Sequence, residues 1–138
     1  MSGPKFCIKV SFFPPEHKPY TLDCVVDSGA QMTLAKAGAI PNFYWENSTD
    51  SGTSIDGTPV ALLGIVHDFS VSIYGFHFKQ TFNQLDQLKD DVVLGSDFID
   101  FVSPITIDNK ASSFTCYVNG FKVVCPMFSE GISKCNIR

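Results

Sequence analysis

Apolar and polar residues alternate with a period of two in several segments of this 138-residue chain. Successive side chains of a β-strand point to opposite faces, so this alternation indicates strands that bury one face only. The first such segment places Phe6, Ile8 and Val10 on one face. We predict half-buried strands at 5–10, 69–73 and 76–78, the last two joined by a turn at Tyr74-Gly75.

Two nearly continuous apolar runs, 24–26 at the end of a strand predicted at 20–26 and 92–94, indicate strands that are buried on both faces. Each run stops at a turn: Asp27-Ser28-Gly29 follows the first run and Gly95 follows the second. Ser96 is a suitable N-cap residue, so we predict a short helix through residue 101. A further strand is expected at 105–107, after the proline that ends the helix.

The strongest hairpin signals in the chain are Asp56-Gly57 and Asn119-Gly120. These residue types tolerate the positive φ angles that two-residue turns require. The segment 32–40 could form a short helix or a strand, because its periodicity decides neither. The pattern as a whole predicts an all-β fold with one short helix. We expect a compact domain at 1–110 and a C-terminal extension or linker hairpin at 111–138.

Composition narrows the class of protein. Hydrophobic residues make up 44% of the chain and charged residues 17%, which allows a core to form and is atypical of disorder. The formal net charge of −4 and the lack of a Lys/Arg cluster argue against a nucleic-acid interface. No apolar run approaches the roughly 20 residues of a membrane-spanning helix. We therefore expect neither a nucleic acid nor a membrane as partner.

The five cysteines are expected to be reduced thiols, since the sequence shows no export signal. Cys116, Cys125 and Cys135 lack the closely spaced pairs that are typical of zinc sites, so we expect no metal. Cys116 and Cys125 flank the turn at Asn119-Gly120 and could be buried as small apolar residues.

The candidate chemistry is concentrated at Asp27-Ser28-Gly29-Ala30, where a carboxylate follows a buried strand. Taken alone, the triplet is also an ordinary turn after a strand. Hydrolysis of an amide by water needs a base that accepts a proton from the water and an acid that protonates the carbonyl oxygen. Two carboxylates that share one proton supply both roles. The chain has one such triplet and is too short for two lobes, so a second copy would supply the second carboxylate.

The order of the motifs extends this interpretation. Asp27 is followed by the hairpin glycine Gly57 and then by the strand end at 93–95 with its short helix. This arrangement resembles retropepsins, the aspartic proteases of retroviruses and reverse-transcribing elements, which form a closed β-barrel or sandwich lobe. The stretch 93–98, followed by Pro104, is most similar to the proteases of plant pararetroviruses, the caulimovirus and badnavirus group. The resemblance covers about residues 5–108.

The resemblance implies a homodimeric aspartic endopeptidase that processes a viral polyprotein in the host-cell cytoplasm and needs no cofactor. Asp27 would be catalytic, and Ser28 and Gly29 would hold the pair of carboxylates. The residues expected to bind the peptide substrate are Ala30, Ile55, Asp56, Gly57, Thr58, Val93 and Leu94. The alternative is a catalytically inert domain of the same shape that binds peptides or assembles a polyprotein.

The other carboxylates and the histidines have ordinary explanations. We expect Asp23 to face solvent, Asp56 to serve its turn and Asp97 to interact with the helix dipole. A nucleophile that depends on histidine is disfavoured, because none of the histidines has a serine or cysteine partner at a familiar spacing. These histidines are His17, His67 and His77.

Overall fold

The structure, a computed structural model, describes residues 5–41, 44–47, 51–53 and 59–129. In these residues the regular structure is almost entirely β, with one short helix, α1, at Ser96–Val102. No helix in this part of the chain is long and apolar enough to cross a membrane. The strands are β1 Phe6–Phe12, β2 Tyr20–Val26, β3 Leu34–Lys36, β4 Glu46–Asn47, β5 Ser51–Thr53, β6 Pro59–Ala61, β7 Gly64–Ile73, β8 Phe76–Leu85, β9 Val92–Leu94, β10 Thr106–Asp108, β11 Ser113–Val118, β12 Phe121–Pro126 and β13 Phe128–Ser129.

A closed barrel of six strands forms the centre of the fold. The main sheet runs in the order β13-β1-β2-β9-β3-β8-β7-β4. An additional pairing of β1 with β7, in which Ser11 lies opposite Ser72 and Phe12 opposite Val71, closes it. The predicted fold class, an all-β closed barrel with a short helix, is confirmed.

β1 and β2 form a long antiparallel ladder, from Phe6 opposite Val26 to Phe12 opposite Tyr20. One face of β1 enters the main core, as the alternation predicted. The prediction of a half-buried strand is wrong for the other face at its beginning. Cys7 is fully buried there, in a second apolar cluster with Val25 and Val93.

β9 lies between β2 and β3 in the main sheet. It pairs in parallel with β2, where Val26 lies opposite Leu94, and antiparallel with β3. The chain therefore leaves β2 at Asp27 next to the end of β9 and returns to the sheet at β3. The segment 32–40, which the sequence left undecided, contains this strand and no helix.

The two hairpin turns of two residues each in the described residues are built as predicted. Tyr74-Gly75 joins β7 to β8 and Asn119-Gly120 joins β11 to β12. All four residues have positive φ, between 49° and 88°, as two-residue turns of this kind require. The predicted turn at Asp56-Gly57, with Ile55 and Thr58, lies outside the described residues. The strands on either side of it, β5 and β6, pair antiparallel.

The C-terminal hairpin packs into the same core as the barrel. Phe114, Cys116 and Val118 of β11 belong to the main hydrophobic cluster, together with Val123 and Cys125 of β12. The division of the chain at residue 110 stays a prediction about domain organisation. In the described residues, 111–129 contribute to the core that 5–110 also forms.

The start of the helix differs from the prediction. Gly95, in an extended conformation, is the N-cap residue, and no side chain caps the helix. Ser96 is already helical, and its hydroxyl donates instead to the backbone oxygen of Gln31 at 3.1 Å. The helix ends at Val102, one residue later than predicted, and buries Phe98 and Val102.

Candidate active site

Asp27 follows β2 directly and is largely buried, with 8% of its surface exposed. Its backbone N–H donates to the carbonyl of Leu94 at 2.9 Å, which continues the contact between β2 and β9. The N–H of Gly29 donates to Oδ1 of Asp27 at 2.8 Å, and the N–H of Ala30 donates to its carbonyl at 3.1 Å. Backbone groups thus hold this turn from two directions: the Leu94 carbonyl of β9, and the N–H groups of Gly29 and Ala30 within the turn itself.

The second oxygen of the carboxylate faces a lysine. Nζ of Lys5 lies 3.4 Å from Oδ2 of Asp27. The register of β1 and β2 explains this contact, because continuing the ladder one residue beyond Phe6 and Val26 brings Lys5 opposite Asp27. Four residues further along the same face, Lys9 pairs with Asp23 at 2.6 Å. Asp23 was expected to face solvent, but its side chain is half-buried beside Lys9, with 19% of its surface exposed.

The end of β9 approaches the Asp27 turn closely enough to require a glycine. The N–H of Ser96 donates to the carbonyl of Ala30 at 2.7 Å. A Cβ atom on Gly95 would lie 2.6 Å from the carbonyl oxygen of Met32 and 2.7 Å from that of Ala30. Both neighbours are backbone atoms, so no side-chain movement could relieve the contact. The glycine of the apolar-apolar-Gly motif therefore permits the two loops to meet.

A polar network behind the turn ties it to the helix. The Thr33 hydroxyl donates to Oδ1 of Asp97 at 2.7 Å and accepts from the N–H of Gly95 at 3.1 Å. Gln80 donates from Nε2 to Oδ2 of Asp97 at 3.2 Å. Asp97 was predicted only to interact with the helix dipole. In the structure it also links α1, β8 and the segment that follows the Asp27 turn.

The predicted substrate residues separate onto two faces of β9. Val93 lies in the second apolar cluster, against which Ala30 and Leu34 pack. Leu94 is 2% exposed and belongs to the main core. Its side chain is buried within one copy of the chain, and its carbonyl accepts from the N–H of Asp27. That Leu94 lines a substrate pocket stays a prediction. Ser28 and Gly29 are exposed beside Asp27, and the predicted residues 55–58 lie outside the described residues.

The other candidate chemistry receives no support from the described residues. His17 contacts the Tyr44 hydroxyl and the Pro15 carbonyl, and the ring of His77 lies 4.8 Å from that of Phe13. In the part of the chain that the structure describes, no three metal-ligating side chains lie together. Cys135 lies outside that part.

The two hairpin cysteines are free and buried. Burial raises the pKa of the Cys116 thiol to about 11. Burial, with the neighbouring Cys116 as a smaller cause, raises that of Cys125 to about 12. Both therefore behave as small apolar residues, as the sequence suggested.

Sequence reasoning singled out Asp27, Ser28, Gly29 and the strand end at Gly95 as candidates, but it did not predict the contacts of Lys5 and Thr33. The Lys5 contact has a signal in the sequence, because Lys5 and Lys9 are four residues apart, as are Asp23 and Asp27. That signal becomes readable only once the register of the two strands is known.

Comparison with known proteins bears on the fold. No family model and no curated protein matches the chain. A solved structure does match, the crystal structure of the retroviral protease-like domain of Ddi1 from Leishmania major. The two chains are 15% identical with a TM-score of 0.64, over 94% of this chain and 95% of that chain. At this identity the likeness shows the fold alone, and this chain has the fold of a retroviral protease-like domain.

Proposed function

We propose that this protein is an aspartic endopeptidase whose active site is formed by two copies of the chain. The observation that supports this most directly is the position of Asp27. Its carboxylate lies at the end of a buried strand, with Oδ1 held by the N–H of Gly29, in a barrel with the fold of a retroviral protease-like domain.

Each copy would contribute one Asp27 to a pair of carboxylates that shares a proton. One carboxylate accepts a proton from the attacking water, while the shared proton moves to the carbonyl oxygen of the scissile bond. Because this mechanism needs one proton shared between the two carboxylates, we expect the highest activity at mildly acidic pH. Ser28 and Gly29 are exposed, so they are accessible to the turn of a second copy.

The substrate would be an extended peptide. Strands pair readily with such a peptide through their backbone groups, and the antiparallel strands β5 and β6 would supply a hairpin for this purpose. Apolar side chains of the peptide would lie near Ala30 and Val93, which belong to the second cluster. As the natural substrate we propose a viral polyprotein of the pararetroviral type, on the ground that residues 93–98 and Pro104 resemble the proteases of that group.

One observation favours the alternative, an inert domain that binds peptides. The carboxylate of Asp27 already has a partner on each oxygen within one chain, Gly29 on Oδ1 and Lys5 on Oδ2. An aspartate that only stabilises its turn would have similar partners. The two functions differ in whether the chain cleaves a peptide bond, and a single substitution separates them.

The test is cleavage of a polyprotein fragment by the purified chain, from mildly acidic to neutral pH, beside the Asp27→Asn variant. The substitution keeps the size of the side chain and removes its acid–base chemistry. If the chain is an aspartic protease, the wild type cleaves the fragment and Asp27→Asn does not. Cleavage that survives in Asp27→Asn would contradict the assignment. Peptide binding by both forms without cleavage, in a sample that sediments as a dimer, would favour the inert domain.

A further inference from the structure

The Asp27 carboxylate has two different partners, one for each oxygen. The N–H of Gly29 donates to Oδ1 at 2.8 Å. The ammonium of Lys5 lies 3.4 Å from Oδ2. A carboxylate held at one oxygen can rotate about its Cβ–Cγ bond, because that torsion is broad. A carboxylate held at both oxygens has its plane fixed.

The surroundings of the Lys5 contact make it stronger than an average surface ion pair. Pairs between two exposed side chains contribute little, since water screens them and both side chains lose freedom. Here the Asp27 side chain is only 12% exposed, although that of Lys5 is 36% exposed. The cross-strand position also brings the two residues together without help from a flexible loop, because Phe6 and Val26 next to them are paired in the ladder.

We propose that Lys5 is a positioning residue that holds the plane of the Asp27 carboxylate. This inference rests on the proposed function, because the orientation matters when the carboxylate must accept a proton from a water molecule. Small displacements of reacting groups have large effects on rate. Lys5 does not contact the peptide in this proposal, so its effect falls on kcat and leaves KM unchanged.

The chain contains a matched control for this inference. Lys9 lies on the same face of the same strand and pairs with Asp23 across the same ladder. Lys5→Met and Lys9→Met each remove one ammonium and one ion pair and keep most of the aliphatic stem. The two variants therefore have the same effect on net charge. They differ in the lost partner, Asp27 or Asp23, and Lys9→Met also removes the contact of Nζ with the Phe128 ring at 5.4 Å.

The experiment measures kcat and KM of the dimeric wild type, Lys5→Met, Lys5→Arg and Lys9→Met, at protein concentrations where dimer formation is saturated. We expect kcat of Lys5→Met to fall about tenfold with KM unchanged. Lys5→Arg should recover most of this loss, because it restores a cation at the same position, and Lys9→Met should stay within about twofold of the wild type. A kcat for Lys5→Met within twofold of the wild type, or an equal loss in Lys9→Met, would overturn the inference.

A second readout does not depend on activity. If none of the four proteins, including the wild type, cleaves any substrate, the proposed function fails. The NMR chemical shift of the Gly29 amide then tests the inference about Lys5 on its own. The Gly29 N–H donates to Oδ1, so reorientation of the carboxylate must change its chemical shift. A shift that changes in Lys5→Met and is preserved in Lys5→Arg and Lys9→Met supports the positioning role. A shift that is the same in all four proteins overturns it.

Discussion

The C-terminal hairpin lies in a separate three-stranded sheet and the Asp27 turn in the barrel, and different interactions hold them. In the hairpin, alternate side chains such as Phe114, Cys116 and Val118 enter the main core, and the turn at Asn119-Gly120 needs only positive φ. At the Asp27 turn, backbone groups of residues 27–32 meet backbone groups of residues 94–96. Side-chain burial stabilises the first region, and close approach of two chain segments defines the second.

The comparison shows that stability and site geometry have separate sources in this protein. The hairpin is local, since its two strands are joined by two residues. The turn depends on partners far away in the sequence: Thr33 and Asp97, which are bonded to each other, are separated by 64 positions. Substitutions in the hairpin should therefore change the free energy of unfolding most, while substitutions at the turn should change activity more than their effect on stability would suggest.

The largest effect on stability is expected for Phe114→Ala. Phe114 is fully buried, and its ring lies 5.3 Å from that of Phe6. Removing a buried phenylalanine ring costs about 3–5 kcal/mol of unfolding free energy. Urea denaturation measures this loss. Phe121→Ala is the control, because Phe121 is in the same hairpin but 64% exposed; equal losses for both variants would show that the hairpin does not belong to the core.

Gly95→Ala should have the next largest effect, and it should be strongest on activity. The new Cβ would overlap the carbonyl oxygens of Met32 and Ala30. Relief of such overlap by backbone shifts costs about 2–3 kcal/mol, and the shifts would displace the Asp27 turn. Ser96→Ala, which loses only one hydroxyl contact, is the control. Wild-type cleavage and stability in Gly95→Ala would refute the close approach of the two segments.

Thr33→Val tests the network behind the turn. The two side chains have the same shape, but valine cannot accept from the N–H of Gly95 or donate to Asp97. An unsatisfied buried donor costs about 2 kcal/mol, which urea denaturation should detect. Thr33→Ser keeps the hydroxyl and should retain cleavage better than Thr33→Val. The reverse order would mean that the methyl group matters here and the hydrogen bonds do not.

The smallest effect concerns alkaline pH and the hairpin thiols. Burial raises the pKa of Cys116 from 9.0 to about 11 and that of Cys125 from 9.0 to about 12. Below pH 9 the thiols stay protonated in both the folded and the unfolded state, so they do not make stability depend on pH. As the pH rises through this window, the unfolded chain loses protons first, and stability falls by about 1 kcal/mol per thiol near pH 10.

Urea midpoints measured between pH 8 and pH 11 check this dependence. The double variant Cys116→Ala, Cys125→Ala should be less stable near neutral pH, because it leaves small cavities. Its stability should decline less steeply with pH. If stability falls equally steeply with pH in the wild type and the double variant, the two thiols ionise as readily in the folded state as in the unfolded chain, which would contradict the prediction.

The two regions also differ in how much of them the sequence predicted. The hairpin followed from the Asn119-Gly120 signal and the alternation on both sides, because these are local features. That this hairpin packs into the main hydrophobic core could not be predicted from the sequence. Alternation indicates that one face is buried but does not indicate which other part of the chain covers it.

At the turn, Asp27, Ser28, Gly29 and Gly95 were found from motif order and from the resemblance to retropepsins. Lys5 and Thr33 were missed, because their roles depend on strand register and on contacts between distant segments. The division of Val93 and Leu94 between two faces of β9 was missed for a related reason. A continuous apolar run predicts burial on both sides of a strand and does not distinguish the core from the site.

The central claim is that two copies of the chain each supply one Asp27 to a shared active site. The most direct measurement mixes a fixed amount of wild-type protein with an equal amount of Asp27→Asn and allows the subunits to exchange. Mixed dimers carry one intact carboxylate, so random pairing should lower the cleavage rate to about half that of the wild type alone. An unchanged rate, in a mixture shown to exchange subunits, would mean that each chain acts by itself and would contradict the claim.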